Sequence, residues 1–183
     1  GMPDSLVVEE VPDLIAGAGQ VLISVEACGV NFPDTLIIQG KYQFKPELPF
    51  SPGGEISGVI KQVGPDVDNL KIGDRVIAFS TWGGFAEELV VDHTRTVTIS
   101  DKMDYEKASA FVLTYGTSYH ALKDRAHLRK GETLLVLGAS GGVGIAAIQL
   151  GKAMGATVIA AASNAEKLSM CKENGADHLI NYA

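Results

Sequence analysis

Midway along the chain, Thr133-Leu134-Leu135-Val136-Leu137 runs directly into Gly138-Ala139-Ser140-Gly141-Gly142-Val143-Gly144 and then into the amphipathic stretch Ile145 to Met154. Continuous hydrophobicity without alternation predicts a strand buried on both faces. A glycine-rich turn between such a strand and a helix leaves unpaired backbone N–H groups at the positive end of the helix dipole, where a pyrophosphate can sit. Side chains on Gly141 or Gly142 would block that approach, and Gly144 lets the helix pack closely on the strand. The spacing G-x-x-G-G-x-G is a variant of the dinucleotide fingerprint. A glycine turn that binds nothing stands as the alternative.

The residues beyond Met154 repeat the pattern. After Gly155 comes a second apolar strand, Thr157 to Ala161, then a polar helix from Ala165 to Glu173, Gly175, and a third short strand near His178 to Ile180. This is β-α-β-α-β, the start of a doubly wound sheet. An NAD-specific unit carries an acid at the end of its second strand to accept the ribose hydroxyls. Here that end reads Ala160-Ala161-Ala162-Ser163-Asn164, with no carboxylate before Glu166. Ser163, Asn164 and Lys167 can instead donate to a 2′-phosphate, which favours NADP(H) over NAD(H). Taken alone, Lys167 also reads as a solvated helix lysine.

The first hundred residues read as short strands punctuated by Gly/Pro turns: Val21 to Ala27, Ser57 to Val63, Arg75 to Phe79 and Phe85 to Val91. Strands at that interval predict a small barrel-like β domain. From Asp104 the spacing turns helical, over Tyr105 to Ala110 and Ser118 to Ala126. The organisation expected is therefore α/β: a β domain over 1–103, then connecting helices and half of a dinucleotide domain over 104–183.

With 15 basic and 22 acidic residues the formal net charge is −7. That disfavours a broad nucleic-acid or anionic-membrane surface, so a bound phosphate must be held by local geometry. Two cysteines, Cys28 and Cys171, are too few for a disulfide framework or a structural zinc site. A reducing, cytoplasmic setting fits, with no membrane-length apolar run and no signal-peptide pattern.

The chain as a whole resembles the medium-chain dehydrogenase/reductase superfamily, and within it the zinc-independent NADPH:quinone oxidoreductases. The resemblance is carried by Ala27-Cys28-Gly29-Val30-Asn31-Phe32-Pro33-Asp34, Gly40-Lys41-Tyr42, Leu48-Pro49-Phe50-Ser51-Pro52-Gly53-Gly54-Glu55, Gly73-Asp74-Arg75-Val76 and Gly138 to Gly144. It implies a GroES-like β-barrel domain followed by the first half of a Rossmann domain, with a small-molecule substrate and a homodimer or homotetramer. Zinc alcohol dehydrogenases of the superfamily carry a ligand Cys where this chain has Asn31 and a ligand His where it has Gly54, so no catalytic metal is expected.

By the same resemblance, Asn31, Asp34 and Tyr42 are the candidate catalytic residues, with Tyr42 a donor to a developing oxyanion. Asn31, Thr117, His120, Ser140, Gly141, Gly142, Val143, Gly144, Ser163, Asn164, Lys167 and Tyr182 are the candidate NADP(H) contacts. Tyr42 reads equally as an exposed loop tyrosine, and Asp34 as a helix-start residue. Many family members have a Tyr where this chain has Leu36, which implies a more apolar pocket mouth.

Without a metal, the site relies on hydrogen bonds and cofactor placement, which suits quinones and conjugated carbonyls. An enoyl-thioester reductase is the near alternative, because Gln39-Gly40-Lys41-Tyr42 resembles the loop carrying the catalytic Tyr of those enzymes. An NADPH-binding protein without turnover is the distant one. The chain ends at the third strand of a sheet that should have two halves, and it opens where the family has interior sequence. A fragment lacking both termini, including an N-terminal strand, is the expectation; a truncated isoform is the alternative.

Overall fold

The computed structural model describes residues 1–183. Two compact units divide the chain, Gly1–Val112 and Leu113–Ala183. In the first, β1 (Gln20–Gly29), β2 (Glu55–Val63), β3 (Arg75–Phe79), β4 (Glu88–Asp92) and β5 (Thr96–Thr98) form one antiparallel sheet in the order β4-β1-β2-β3-β5. Alternate side chains gather on one face into a core of Val21, Ile23, Ile56, Ile60, Val76, Ala78, Leu89 and Val91. Burying each of the larger of these contributes about 1.5–3 kcal/mol. Register shifts between Leu22 and Ile23 and between Val25 and Ala27 interrupt the β1–β2 ladder.

Beyond β1 lies the short helix α1 (Phe32–Ile38), and after β5 comes α2 (Tyr105–Ala108). Arg75 ties α2 to the sheet. Its Nε donates to the Tyr105 hydroxyl at 3.0 Å, its other nitrogens donate to the carbonyls of Ser100 and Met103, and its guanidinium lies 4.3 Å from the Tyr105 ring centroid. Ser57 Oγ donates to the Tyr105 carbonyl at 2.6 Å. The compact division therefore falls after α2, at Val112, rather than before it.

The second unit begins within the π-helical stretch Val112–Gly116, which continues through one helical turn, α3 (Thr117–Tyr119), into a second π-helical stretch, His120–Arg125. Then β6 (Thr133–Leu137), α4 (Gly142–Ala153), β7 (Thr157–Ala162), α5 (Ala165–Glu173) and β8 (His178–Asn181) build a parallel sheet in the order β6-β7-β8. Ile148 of α4 and Cys171 of α5 join Val136, Val158 and Ala160 in one core, so both helices cover the same sheet face. β6 is expected from its sequence to be buried on both sides; within this chain only one face is covered. Leu135 is 52% exposed and Leu137 72%, because successive side chains point to opposite faces and no helix of this unit lies over the second.

Candidate functional site

In the second unit the glycine loop forms a cradle at the start of α4. Gly138, at φ +61°, turns the chain off the end of β6 through the left-handed region. Gly141 is the N-cap, in extended conformation, and no side chain caps the helix; its first turn holds no acid. The first-turn N–H groups of Gly142, Val143 and Gly144 have no carbonyl one turn earlier to bond to. They form the positive end of a twelve-residue helix.

Two of these glycines are small for different reasons. A Cβ on Gly144 would lie 2.6 Å from the Ala139 carbonyl oxygen and 2.8 Å from its Cα, so helix–loop packing itself excludes a side chain. A Cβ on Gly141 would meet only the Gly138 carbonyl oxygen at 3.6 Å, an ordinary contact, and its φ of −76° suits any residue. Nothing in the protein requires glycine there. The space a side chain would fill is open, which fits a phosphate resting on the loop. Half-buried Ser140 lies within the loop. Ser118 Oγ, on α3, donates to the Val143 carbonyl at 2.8 Å and steadies the first turn.

At the end of β7, Asn164 caps α5: its Oδ1 accepts from the Lys167 N–H at 2.9 Å. Lys167 Nζ reaches Ser163 Oγ at 3.2 Å, so the lysine folds back over the strand end instead of pointing into solvent alone. Tyr182, exposed just past β8, donates its N–H to the Ala162 carbonyl at 3.2 Å. Ser163, Asn164, Lys167 and Tyr182 thus gather at one end of the sheet, with the Asn164 oxygen already committed to the cap. Thr117 and His120 are both exposed, and His120 Nδ1 pairs with Asp124 Oδ2 at 2.9 Å.

In the first unit β1 leads into Asn31, the N-cap of α1, and a capping box joins Asn31 to Asp34. The Asn31 N–H donates to Asp34 Oδ2 at 2.7 Å, and the Asp34 N–H donates to the Asn31 carbonyl at 3.0 Å. Asp34 is therefore the helix-start residue of the blander reading, but it is also 4% exposed. Burial pushes its carboxyl above the usual range, against N–H groups of Asn31, Gly53 and Gly54 that stabilise the charge. Beside it, the Cys28 thiol is pushed up to about 12, first by burial and then by the Asp34 charge. Such a thiol stays protonated and unreactive at neutral pH.

Tyr42 is half-buried with its ring 5.9 Å from that of Phe44, and no hydrogen bond joins it to Asn31 or Asp34. One residue was not anticipated. Glu55, the first residue of β2, is fully buried; its Oε1 accepts the Val112 N–H and its Oε2 lies 3.5 Å from Asn31 Nδ2. A carboxylate at the head of an apolar strand, after Gly53-Gly54, was the signal available.

Residues 17–101 match the family profile of the alcohol dehydrogenase GroES-like domain, and residues 142–183 match that of the zinc-binding dehydrogenases. The chain belongs to the medium-chain dehydrogenase/reductase superfamily, with a GroES-like unit followed by a Rossmann-like one. Within it, the chain is similar to the quinone oxidoreductases. It is 41% identical over 179 residues to quinone oxidoreductase-like protein 2 of Bos taurus, covering 97% of this chain and 51% of the relative. It is 43% identical over 165 residues to the Homo sapiens quinone oxidoreductase, covering 89% and 50%. Among solved structures, Escherichia coli quinone oxidoreductase complexed with NADPH superposes with a TM-score of 0.94 at 31% identity, over 100% of this chain and 56% of that one. The CurK enoyl reductase superposes with a TM-score of 0.88 at 28% identity, over 97% and 56%. The chain spans about half the length of the curated relatives it matches.

One profile's name implies zinc, and the residues present do not fit it. A Cβ on Gly54 would lie 2.9 Å from the Ser80 carbonyl oxygen, so that position has no room for a ligand side chain. No three His, Cys, Asp or Glu side chains are grouped to hold a metal.

Proposed function

We propose that this chain supplies the substrate side and the phosphate-gripping side of a zinc-independent, NADPH-dependent reductase of quinones or related conjugated carbonyls. The observation that carries it is the uncapped start of α4, where Gly141 is kept small by no protein contact and is followed by three first-turn N–H groups. These would hold the pyrophosphate, with Ser140 beside them. Ser163, Lys167 and Tyr182, gathered at the end of β7 without an acid, would hold the 2′-phosphate. Thr117 and His120 would contribute further along the cofactor. Several solved neighbours are quinone oxidoreductases complexed with NADPH, which supports the same reading.

NADPH supplies the hydride when bound. The residues of the first unit then have two tasks: to orient an already electrophilic acceptor and to stabilise the phenolate or enolate that forms. Asn31 offers a positioned carboxamide, and Tyr42 offers a hydroxyl donor from a loop adjoining α1. Asp34 positions Asn31 through the capping box. Its carboxylate, engaged by N–H groups, is placed to hold that loop rather than to exchange protons. The half-buried Leu36 gives the mouth an apolar edge.

The test is NADPH oxidation by the protein carrying this chain, followed at 340 nm, with a panel of quinones, alkenals and enoyl thioesters. Turnover of a quinone or enone is the expected result. The CurK neighbour favours a second reading, an enoyl-thioester reductase. Preferential turnover of crotonyl-thioester, lost by at least ~100-fold in Tyr42→Phe, would establish that reading over the first. NADPH binding without oxidation of any acceptor would overturn both.

A further inference from the structure

We propose that Glu55 is the positioning residue for Asn31, fixing which way the Asn31 carboxamide faces and therefore what it offers a ligand. This rests on the reading of the first unit as the ligand-binding side of a reductase. Glu55 stands directly across the β1–β2 ladder from Gly29, and it is fully buried. A Cβ on Gly29 would lie 3.4 Å from Asn31 Nδ2, so the amide lies over the bare glycine and reaches the carboxylate beyond it.

In two contacts Glu55 accepts, from the Val112 N–H at Oε1 and from Asn31 Nδ2 at Oε2, so the nitrogen of the Asn31 amide faces Glu55. The Asp34 N–H is taken by the Asn31 backbone carbonyl at 3.0 Å, so the contact with Glu55 is what sets the amide's orientation. A flipped amide would put its oxygen against the Glu55 carboxylate and lose that contact. The other Glu55 oxygen is held by the Val112 N–H, so the carboxylate is itself fixed. Glu55 is too deeply buried to touch a ligand. Its effect is to leave half-buried Asn31 with an immobile acceptor, Oδ1, matched to a ligand hydroxyl or primary amide.

The test is nuclear magnetic resonance on the 183-residue chain, which is small enough to resolve the Asn31 side-chain amide. One Asn31 Hδ2 proton should be displaced downfield and exchange with solvent about tenfold more slowly than an exposed asparagine amide, as a net hydrogen bond of this class implies. Glu55→Gln should abolish both effects while the rest of the backbone spectrum is retained. Asn31→Asp should destabilise the chain strongly with Glu55 present and much less in the Glu55→Gln background, because two carboxylates no longer meet.

Asn31 protons that exchange at the exposed rate in the unmodified chain would overturn the proposal, as would signals unmoved by Glu55→Gln. If Glu55→Gln does not fold, the exchange rate in the unmodified chain decides alone. NADPH titration of the protein carrying this chain separates the two readings. Failure to bind would remove the reductase reading and leave the Asn31 result standing, whereas binding with an unprotected Asn31 amide would remove only the role of Glu55.

Discussion

At Gly141 and Gly144 the same substitution should have opposite consequences. In Gly144→Ala the new methyl meets backbone atoms of Ala139 at 2.6–2.8 Å, and backbone cannot move aside cheaply. A loss of about 1–3 kcal/mol is expected, read as a lower denaturation midpoint at unchanged slope. Gly141→Ala should leave that midpoint within about 0.5 kcal/mol and weaken NADPH binding, because only a ligand uses the space. Asp34 yields a second expectation at this scale. Its folded carboxyl is raised above 3.8 by burial, so the folded state holds its proton more tightly than the unfolded chain does. Its contribution is therefore favourable at acid pH and is lost as pH rises from about 3.8 toward the folded value. The difference in stability between the unmodified chain and Asp34→Asn should fall over that window, whereas a flat difference from about pH 3 to 7 would contradict the burial account. Comparison with Asn at the same position is needed because Asp92, Asp104 and Asp177 are lowered and slope the other way. The motif around Asn31 and Asp34 was legible from residue types, but their partner Glu55 was not. Its importance comes from a cross-strand position opposite Gly29, and register is not written in a single strand's sequence.

Among the elements, β3, β6 and α5 were readable to the residue, since each has clean punctuation at both ends. β5 was missed: Thr96–Thr98 is three residues long and offers no alternation to see. α4 begins at Gly142, earlier than its apolar pattern starts, because glycines that signal a turn here also form the first helical turn. β6 taught most. Its unbroken apolar run predicted two buried faces, yet only the Leu134 and Val136 side meets α4 and α5. Within this chain the two sides should differ energetically. Val136→Ala removes packed methyl groups next to Ile148 and Val158 and should cost about 1–3 kcal/mol. Leu137→Ala, on the open face, should change stability by less than about 0.5 kcal/mol. Equal losses at the two positions in chemical denaturation would mean that the second face is covered.

For the molecule as a whole, the acidic balance of −7 means that an anionic dinucleotide gains nothing from long-range attraction. On the proposed reading, affinity comes from the first-turn N–H groups of α4 and from the cluster at the end of β7, both in the second unit. That division makes the pattern of ligand protection informative. In hydrogen exchange of the chain with saturating NADPH, slowed exchange is expected over 140–145 and 163–167. NADH lacks the 2′-phosphate, so it should protect 140–145 and leave 163–167 nearly unchanged, and Lys167→Ala should make NADPH resemble NADH. Identical protection by the two nucleotides would remove the case for a 2′-phosphate site. Protection that extends to 31–34 with either nucleotide would bring residues of the first unit into nucleotide binding. Protection confined to the second unit would leave Asn31 and Tyr42 to the acceptor alone, and then Tyr42→Phe should lower turnover while leaving the NADPH titration curve where it was.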